Sequence, residues 1–247
     1  MGMTHEAPER AEKDDQELNS TASPAQRPSG SKGPRPVSSQ NGKECYQSLK
    51  VNLLARYPDK TIKTIIFCGM AHGDGSTTTA SNFATTLARD CKLKVLLVDA
   101  NLRTPCLKEM FQLGDTPGLS DYIGNGNEPV LPMLRVGRGN LYVLPCGSSS
   151  SGPISLFETD RFNQFLKKAR EQFDYVILDA PPVPIFTESR VICPKVDGVV
   201  LVVKAGKTRR QVLLRAKKEI EEAGGRVLGV VINNREFFIP NWIYRRL

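Results

Sequence analysis

Histidine is scarce in this 247-residue chain; only His5 and His72 occur. Two imidazoles nearly rule out zinc clusters and Ser-His-Asp catalysis. The six cysteines, at positions 45, 68, 91, 106, 146 and 193, form no C-x-x-C pair and no metal-ligand spacing. They read as reduced, mostly buried apolar residues. Long apolar runs are missing as well. Aliphatic stretches are a handful of residues, such as Val199–Val203, against the roughly 20 that a membrane-spanning helix needs. The N-terminus has no apolar core of the kind a secretory signal requires, so a cytoplasmic protein is expected. Met1-Gly2-Met3-Thr4-His5-Glu6 lacks the Ser or Thr that a myristoylation signal places sixth, so no lipid anchor is assigned.

What is present suits one folded domain. Hydrophobic residues make up 40% and charged residues 24%, enough for an ordinary core. The net charge of +8 is unevenly placed. Residues 1–43 balance six acids with six bases, so the whole excess sits in 44–247 and could suit nucleic acid, anionic lipid or a nucleotide. The same 43 residues hold five Pro, four Gly and six Ser with almost no large apolar side chain, so they are expected to be a disordered tail.

Order is expected from about residue 44. Tyr46, Leu49 and Leu53 recur at i, i+3 and i+7, one face of a helix that ends before Pro58. Short β-rich runs follow at 63–68, 94–98, 141–144, 175–178, 198–203 and 227–232, with helices at about 77–91, 159–172 and 208–223. Strands apolar on both faces that alternate with helices predict an α/β fold, three layers around a mainly parallel sheet. The expected boundaries are a 44–235 domain and a 236–247 aromatic and basic tail.

The first β run ends at Cys68. Gly69-Met70-Ala71-His72-Gly73-Asp74-Gly75-Ser76-Thr77-Thr78 follows, and then a helix. Strand, glycine loop and helix in that order are what phosphate binding needs. Gly73 and Gly75 can take positive φ and turn backbone N–H groups to an anion, and the helix N-terminus adds about half a positive charge. Gly73, Asp74, Gly75, Ser76, Thr77 and Thr78 are the candidate nucleotide-binding residues, with the Thr77 hydroxyl placed for Mg²⁺. The simpler alternative is a plain glycine-rich turn. The loop lacks the lysine of the G-x-x-x-x-G-K-[ST] pattern; Ser76 stands there, and Met70 stands at the first glycine. Backbone amides and Mg²⁺ leave binding possible, whereas the transition state for phosphoryl transfer loses more. His72, the nearest substitute cation, is mostly neutral at pH 7.

Two other β runs end in aspartate: Leu97-Val98-Asp99-Ala100-Asn101 and Ile177-Leu178-Asp179-Ala180-Pro181-Pro182. An Asp at that position lies at the carboxyl edge of the sheet, where open α/β folds bind ligands, and such carboxylates can hold Mg²⁺ directly or through water. The bland alternative is that each caps the next segment.

Together these residues resemble the cytoplasmic domain of bacterial tyrosine kinases, P-loop proteins that regulate capsule and exopolysaccharide synthesis. The resemblance covers about 44–247. Asp99-Ala100-Asn101-Leu102-Arg103 is similar to the family's Walker A′ motif, and Asp179 with Pro181-Pro182 to its Walker B. Gly118–Tyr122, Asp197–Val203 and Glu44–Lys50 fall where the family has similar segments, the last on a helix between neighbouring subunits. The resemblance implies a P-loop NTPase-like fold, ATP or ADP with Mg²⁺, and catalytic roles at Asp99, Asn101 and Asp179. It also implies Mg²⁺ at Thr77, Asp99 and Asp179, and Arg103 on the nucleotide side. A membrane-anchored polysaccharide co-polymerase or adaptor is the implied partner, which would hold the chain peripherally at the inner face of the membrane. Autophosphorylation in trans within a ring is implied too, with Tyr244 as the candidate acceptor.

The sequence departs from that pattern at four points. The Walker lysine is Ser76, and the second Walker A′ acid is Asn101, which cannot act as a base. The subunit motif E-x-x-R-x-x-R is Glu44, Gln47 and Lys50, and Tyr244 stands alone where the family has a cluster. Weak or lost catalysis and impaired ring formation are therefore expected. Two further readings stay open: a nucleotide-sensing pseudokinase adaptor, and a partition-type ATPase at a membrane or DNA surface. Ala71 stands where partition ATPases carry a signature lysine, and nucleic acid is the less expected ligand.

Residues 201–218 hold seven bases and no acid. They read either as a solvated helix face with pairs such as Arg215–Glu219 and Lys217–Glu221, or as a surface for anionic lipid or an acidic partner. The aromatic C-terminus, Phe237 to Tyr244, either packs back on the domain or docks on the anchored partner.

Overall fold

Seven strands, eight α-helices and a short 3-10 helix lie along the residues that the computed structural model describes: 40–58, 62–125, 131–137, 139–148 and 152–233. The expected tail before residue 40, the 236–247 segment and Tyr244 lie outside them. The strands are β1 (Thr64–Gly69), β2 (Val95–Asp99), β3 (Leu134–Val136), β4 (Leu141–Leu144), β5 (Tyr175–Ala180), β6 (Gly198–Lys204) and β7 (Val227–Asn233). The helices are α1 (Gln40–Arg56), α2 (Ser76–Arg89), α3 (Leu107–Met110), α4 (Leu119–Asn125), α5 (Pro153–Glu158), α6 (Asp160–Gln172), α7 (Glu188–Ile192) and α8 (Arg210–Glu222).

The strands form one sheet in the order β3-β4-β2-β5-β1-β6-β7. Every pairing is parallel except β3 with β4. Consecutive buried side chains on a strand face opposite ways, so each strand feeds two cores. Ile66 and Cys68 join Leu178, Phe157, Phe162, Phe165 and Ile220 on one face. Ile65 and Phe67 join Phe83, Leu87, Ile177 and Leu53 on the other. This is the expected three-layer arrangement. In α2, Ala80, Phe83, Ala84, Leu87 and Ala88 make a buried stripe at 3.6-residue spacing, with the Phe83 ring 5.6 Å from that of Phe67. Each large side chain buried this way contributes about 1.5–3 kcal/mol.

The long elements lie within a few residues of their expected places, and α1 begins at Gln40, earlier than the expected boundary at 44. The short elements β3, α3, α4, α5 and α7 were not expected. Each spans seven residues or fewer, too few to display a period. No described helix is long and apolar enough to cross a membrane.

The topology places the site. β2, β5 and β1 are neighbours, and each ends at the same edge of the sheet in one of the three segments singled out above. At the opposite edge, polar latches close the strand starts. The Asp197 carboxylate accepts from the N–H groups of Lys63 (2.9 Å) and Thr64 (2.7 Å) and from the Thr64 hydroxyl (2.8 Å), and it pairs with Arg170.

Candidate phosphate-binding site

The loop after β1 turns sharply into α2. Gly73 and Gly75 sit at φ +83° and +86°, where a side chain is strained. A Cβ on Gly75 would also overlap the side-chain amide of Asn233. Gly75 is the N-cap of α2 with no side-chain capping bond, and the first turn of the helix carries no acid. The donors at this helix start are thus left for a ligand. Elsewhere the chain does cap a helix: the Thr159 side chain accepts from Phe162 N–H at the start of α6.

Asp74 lies within the loop, but its carboxylate is taken by the loop itself. It accepts from the N–H groups of Met70 (3.0 Å) and Ala71 (2.9 Å). Those bonds make it the brace that sets the loop's curve rather than a group facing outward. Ser76 and Thr78, at the head of α2, are half-buried. The Thr77 hydroxyl donates to Asp179 Oδ2 at 2.6 Å, joining the head of α2 to the end of β5.

Asp99 and Asp179 are register partners on adjacent strands, and both are buried. Their surroundings differ. Asp99 Oδ2 accepts from the N–H groups of Cys106 (3.1 Å) and Leu107 (3.0 Å) at the start of α3, and Oδ1 accepts from Asn101 N–H at 3.3 Å. The capping alternative is therefore realised at Asp99. Burial still lifts its carboxyl to about 6, against those three donors. Asp179 has Thr77 on one oxygen, while its buried Oδ1 has no hydrogen-bond partner. Burial first, and then the Asp99 charge, push its carboxyl well above the usual range. A buried acceptor left unpaired beside a second carboxylate is costly in isolation and is relieved by a cation.

Two other candidates are engaged by the protein. The Asn101 amide donates to the Thr104 hydroxyl (3.0 Å), and its carbonyl accepts from Thr104 N–H (3.2 Å), which folds the segment after β2 on itself. Arg103 donates from Nε to the buried Glu188 at 2.7 Å, with its guanidinium over the Phe186 ring. His72 meets the same ring edge-on, 5.7 Å between centroids. Phe186 thus lies between the glycine loop and the segment after β2. The thiols do not compete for the chemistry: burial raises Cys106 to about 11 and Cys146 to about 12, so both stay protonated.

The structure thus brings Thr77, Asp99 and Asp179 to one edge around the loop. Asn101, Arg103 and Asp74 lie beside them in bonds of their own. Glu188 and Asn233 are not among the residues that the sequence singles out. The Asn233 amide donates to the Asp74 carbonyl at 2.9 Å. Its signal was available: like Asp99 and Asp179, it is a polar residue closing an apolar β run.

The fit to Mg²⁺ can be judged from these contacts. No group of three or more His, Cys, Asp or Glu side chains that could hold a metal occurs among the described residues. A hydroxyl, one unpaired carboxylate oxygen and a neighbouring carboxylate instead match an ion that completes its shell with water and phosphate oxygens, as Mg²⁺ does.

No protein-family model matches the chain. Tyrosine-protein kinase CpsD of Streptococcus agalactiae is 28% identical over 191 residues, covering 77% of this chain and 82% of that protein. Among solved structures, the chimerical protein CapA2B2 superimposes with a TM-score of 0.73 at 26% identity, covering 78% of this chain and 85% of that one. The MinC:MinD cell division protein complex of Aquifex aeolicus matches more loosely, with a TM-score of 0.59 at 21% identity, covering 74% of this chain and 72% of that one. That last likeness is one of fold alone.

Proposed function

We propose that this chain, whose homologues are bacterial tyrosine-protein kinases, binds ATP or ADP with Mg²⁺ and serves capsule or exopolysaccharide synthesis beside a membrane-anchored partner, with weak phosphoryl transfer of its own. One observation carries the nucleotide reading. The Thr77 hydroxyl, at the open head of a phosphate-loop helix, touches a buried Asp179 whose other oxygen has no partner. Thr77 and Asp179 would hold the metal, with Asp99 behind them. When bound there, Mg²⁺ neutralises charge on the polyphosphate.

The chain's own groups then divide the work. The backbone donors of Gly73–Thr78 cradle phosphate oxygens, and Asp74 keeps the loop in that curve. Asp99, whose carboxyl burial raises, is the group we assign to take the proton of an acceptor hydroxyl. A cleft of about 520 Å³, lined in part by Pro105, Lys108 and Cys146, lies beside the start of α3 that Asp99 caps, and we assign it as the side from which such an acceptor comes.

A second reading, a nucleotide-sensing subunit without turnover, is favoured by Asn101. Its side chain is neutral and locked on Thr104, and Ser76 places no cation on the loop. Incubation with Mg-ATP followed by phosphotyrosine detection separates the two, run on the native chain and on Ser76→Lys with and without a candidate partner. The expected result is nucleotide binding by both proteins, tighter in Ser76→Lys, and slow phosphotyrosine formation in the native chain. Failure of both proteins to bind Mg-ATP or Mg-ADP would sink the proposal. Efficient native turnover would rule out the sensing role.

A further inference from the structure

The candidate phosphate loop has a basic wall. A cleft of about 510 Å³ opens between loop residues Met70–Asp74 and the connection from β6 to α8, where Lys204, Lys207 and Arg209 line it. Asn233 fixes the wall against the loop. Its carbonyl accepts from Ala205 N–H at 2.9 Å, and its side-chain amide donates to the Asp74 carbonyl at 2.9 Å. The connection is itself a closed turn. The N–H groups of Lys207 and Thr208 both reach the Lys204 carbonyl at 3.2 Å, and Gly206 takes φ +71°.

Charge on this stretch is arranged in two ways. In the second half of α8, bases are matched to acids one turn on: Arg215 to Glu219 at 2.9 Å, Lys217 to Glu221 at 3.6 Å and Lys218 to Glu222 at 3.4 Å. At its start, Lys204, Lys207, Arg209 and Arg210 form no ion pair among the described residues. The first turn of α8 has no acid, and its N-cap, Arg209, makes no capping bond. Cations crowded at the positive end of a helix dipole repel it. An anion in the cleft reverses the sign of that arrangement.

We propose that Lys204, Lys207 and Arg209 supply, from within the same chain, the positive charge that Ser76 does not, and that this cleft holds the polyphosphate of the bound nucleotide from its outer side. The inference rests on the nucleotide reading above and adds where the compensating cations come from. Because Lys207 and Arg209 are exposed and Lys204 is half-buried, their contribution depends on ionic strength in a way a buried lysine would not show.

The test is calorimetric titration of the full chain with Mg-ADP at several salt concentrations. The cleft variant is Lys204→Gln/Lys207→Gln/Arg209→Gln. The control is Arg215→Gln/Lys217→Gln/Lys218→Gln, which removes the same net charge from the paired half of the helix. The cleft variant is expected to lose about tenfold or more in affinity and to show a flatter salt dependence, with the control within about twofold of native. Adding Ser76→Lys to the cleft variant is expected to restore most of the loss. If the cleft variant melts below the native chain, Lys207→Gln alone, at an exposed position, carries the test with a loss of about threefold. Native affinity and native salt dependence in the folded cleft variant overturn the proposal, as does an equal loss in the control. Anionic vesicle binding lost in the cleft variant, with Mg-ADP affinity unchanged, also overturns it and reassigns the wall to a membrane surface. A native chain that binds neither Mg-ADP nor Mg-ATP overturns the nucleotide reading and this inference with it. Binding that persists unchanged in the cleft variant overturns this inference alone.

Discussion

The two edges of the same sheet treat aspartate in opposite ways. At the edge where the strands begin, Asp197 receives three hydrogen bonds and an arginine, and Asp174 accepts from Lys94 N–H at 2.8 Å. Burial pushes the Asp197 carboxyl up, but the donors of Thr64 and Lys63 and the Arg170 charge outweigh it and hold it below its ordinary value. At the edge where the strands end, Asp99 and Asp179 are raised by burial, and Asp179 keeps an unpaired oxygen. The first edge is satisfied within the chain. At the second, Asp99 is satisfied by three backbone N–H groups but Asp179 is not, and a buried group that the fold leaves unsatisfied marks a candidate ligand site.

This contrast can be broken by substitution. The largest expected effect is at Asp179. Asp179→Asn removes the charged partner of Thr77 and is expected to weaken Mg-nucleotide binding by about 100-fold or more, read by calorimetry. In the ligand-free protein the same change relieves a buried charge, so the melting temperature is expected to rise, by about 2–4 °C per kcal/mol relieved. Asp99→Ala is expected to move stability the other way. It strands the N–H groups of Asn101, Cys106 and Leu107 and costs about 1–3 kcal/mol, measured by denaturant unfolding. If both variants were destabilised alike, the distinction between the two carboxylates would be lost.

Gly75→Ala comes next. The left-handed φ and the nearby Asn233 amide predict a loss of about 1–2 kcal/mol together with weaker nucleotide binding. The smallest effect is a pH dependence at the satisfied edge. Asp197, with its lowered pKa, adds stability that is fully present above the ordinary carboxylate range and is lost as pH falls through its lowered value. Asp197→Asn is therefore expected to be about 0.5–1 kcal/mol less stable than native at pH 7, since the Asp197–Arg170 pair is partly solvated, and to converge with it in acid. A constant gap across that range would show that the carboxylate's charge is not what latches the edge.

Much of this was legible in the sequence, and the illegible parts have physical reasons. Buried parallel strands are apolar on both faces, so β1, β2, β5 and β6 stand out as runs, and Asp99 and Asp179 stand out by ending two of them. Gly73 and Gly75 marked positions that need positive φ, and the structure puts both there. The pairings of Arg215 and Lys217 with glutamates one turn on followed from spacing alone. What the spacing could not show was direction. Asp74 and Arg103 stand in the right segments, yet one carboxylate turns back onto Met70 and Ala71 and the guanidinium turns to Glu188, 85 residues away. The basic run from Lys204 gave no hint of facing the glycine loop, because that contact depends on β6 lying beside β1 and on Asn233 closing β7. The antiparallel β3 has three residues, too short to announce itself.

We propose the strand ends around Asp179 as a site for Mg²⁺ with a nucleotide. The most direct measurement is ADP affinity with and without Mg²⁺, in the native chain and in Asp179→Asn. Mg²⁺ is expected to tighten ADP binding to the native chain and to leave binding to Asp179→Asn unchanged. An equal Mg²⁺ enhancement in both proteins would contradict that proposal.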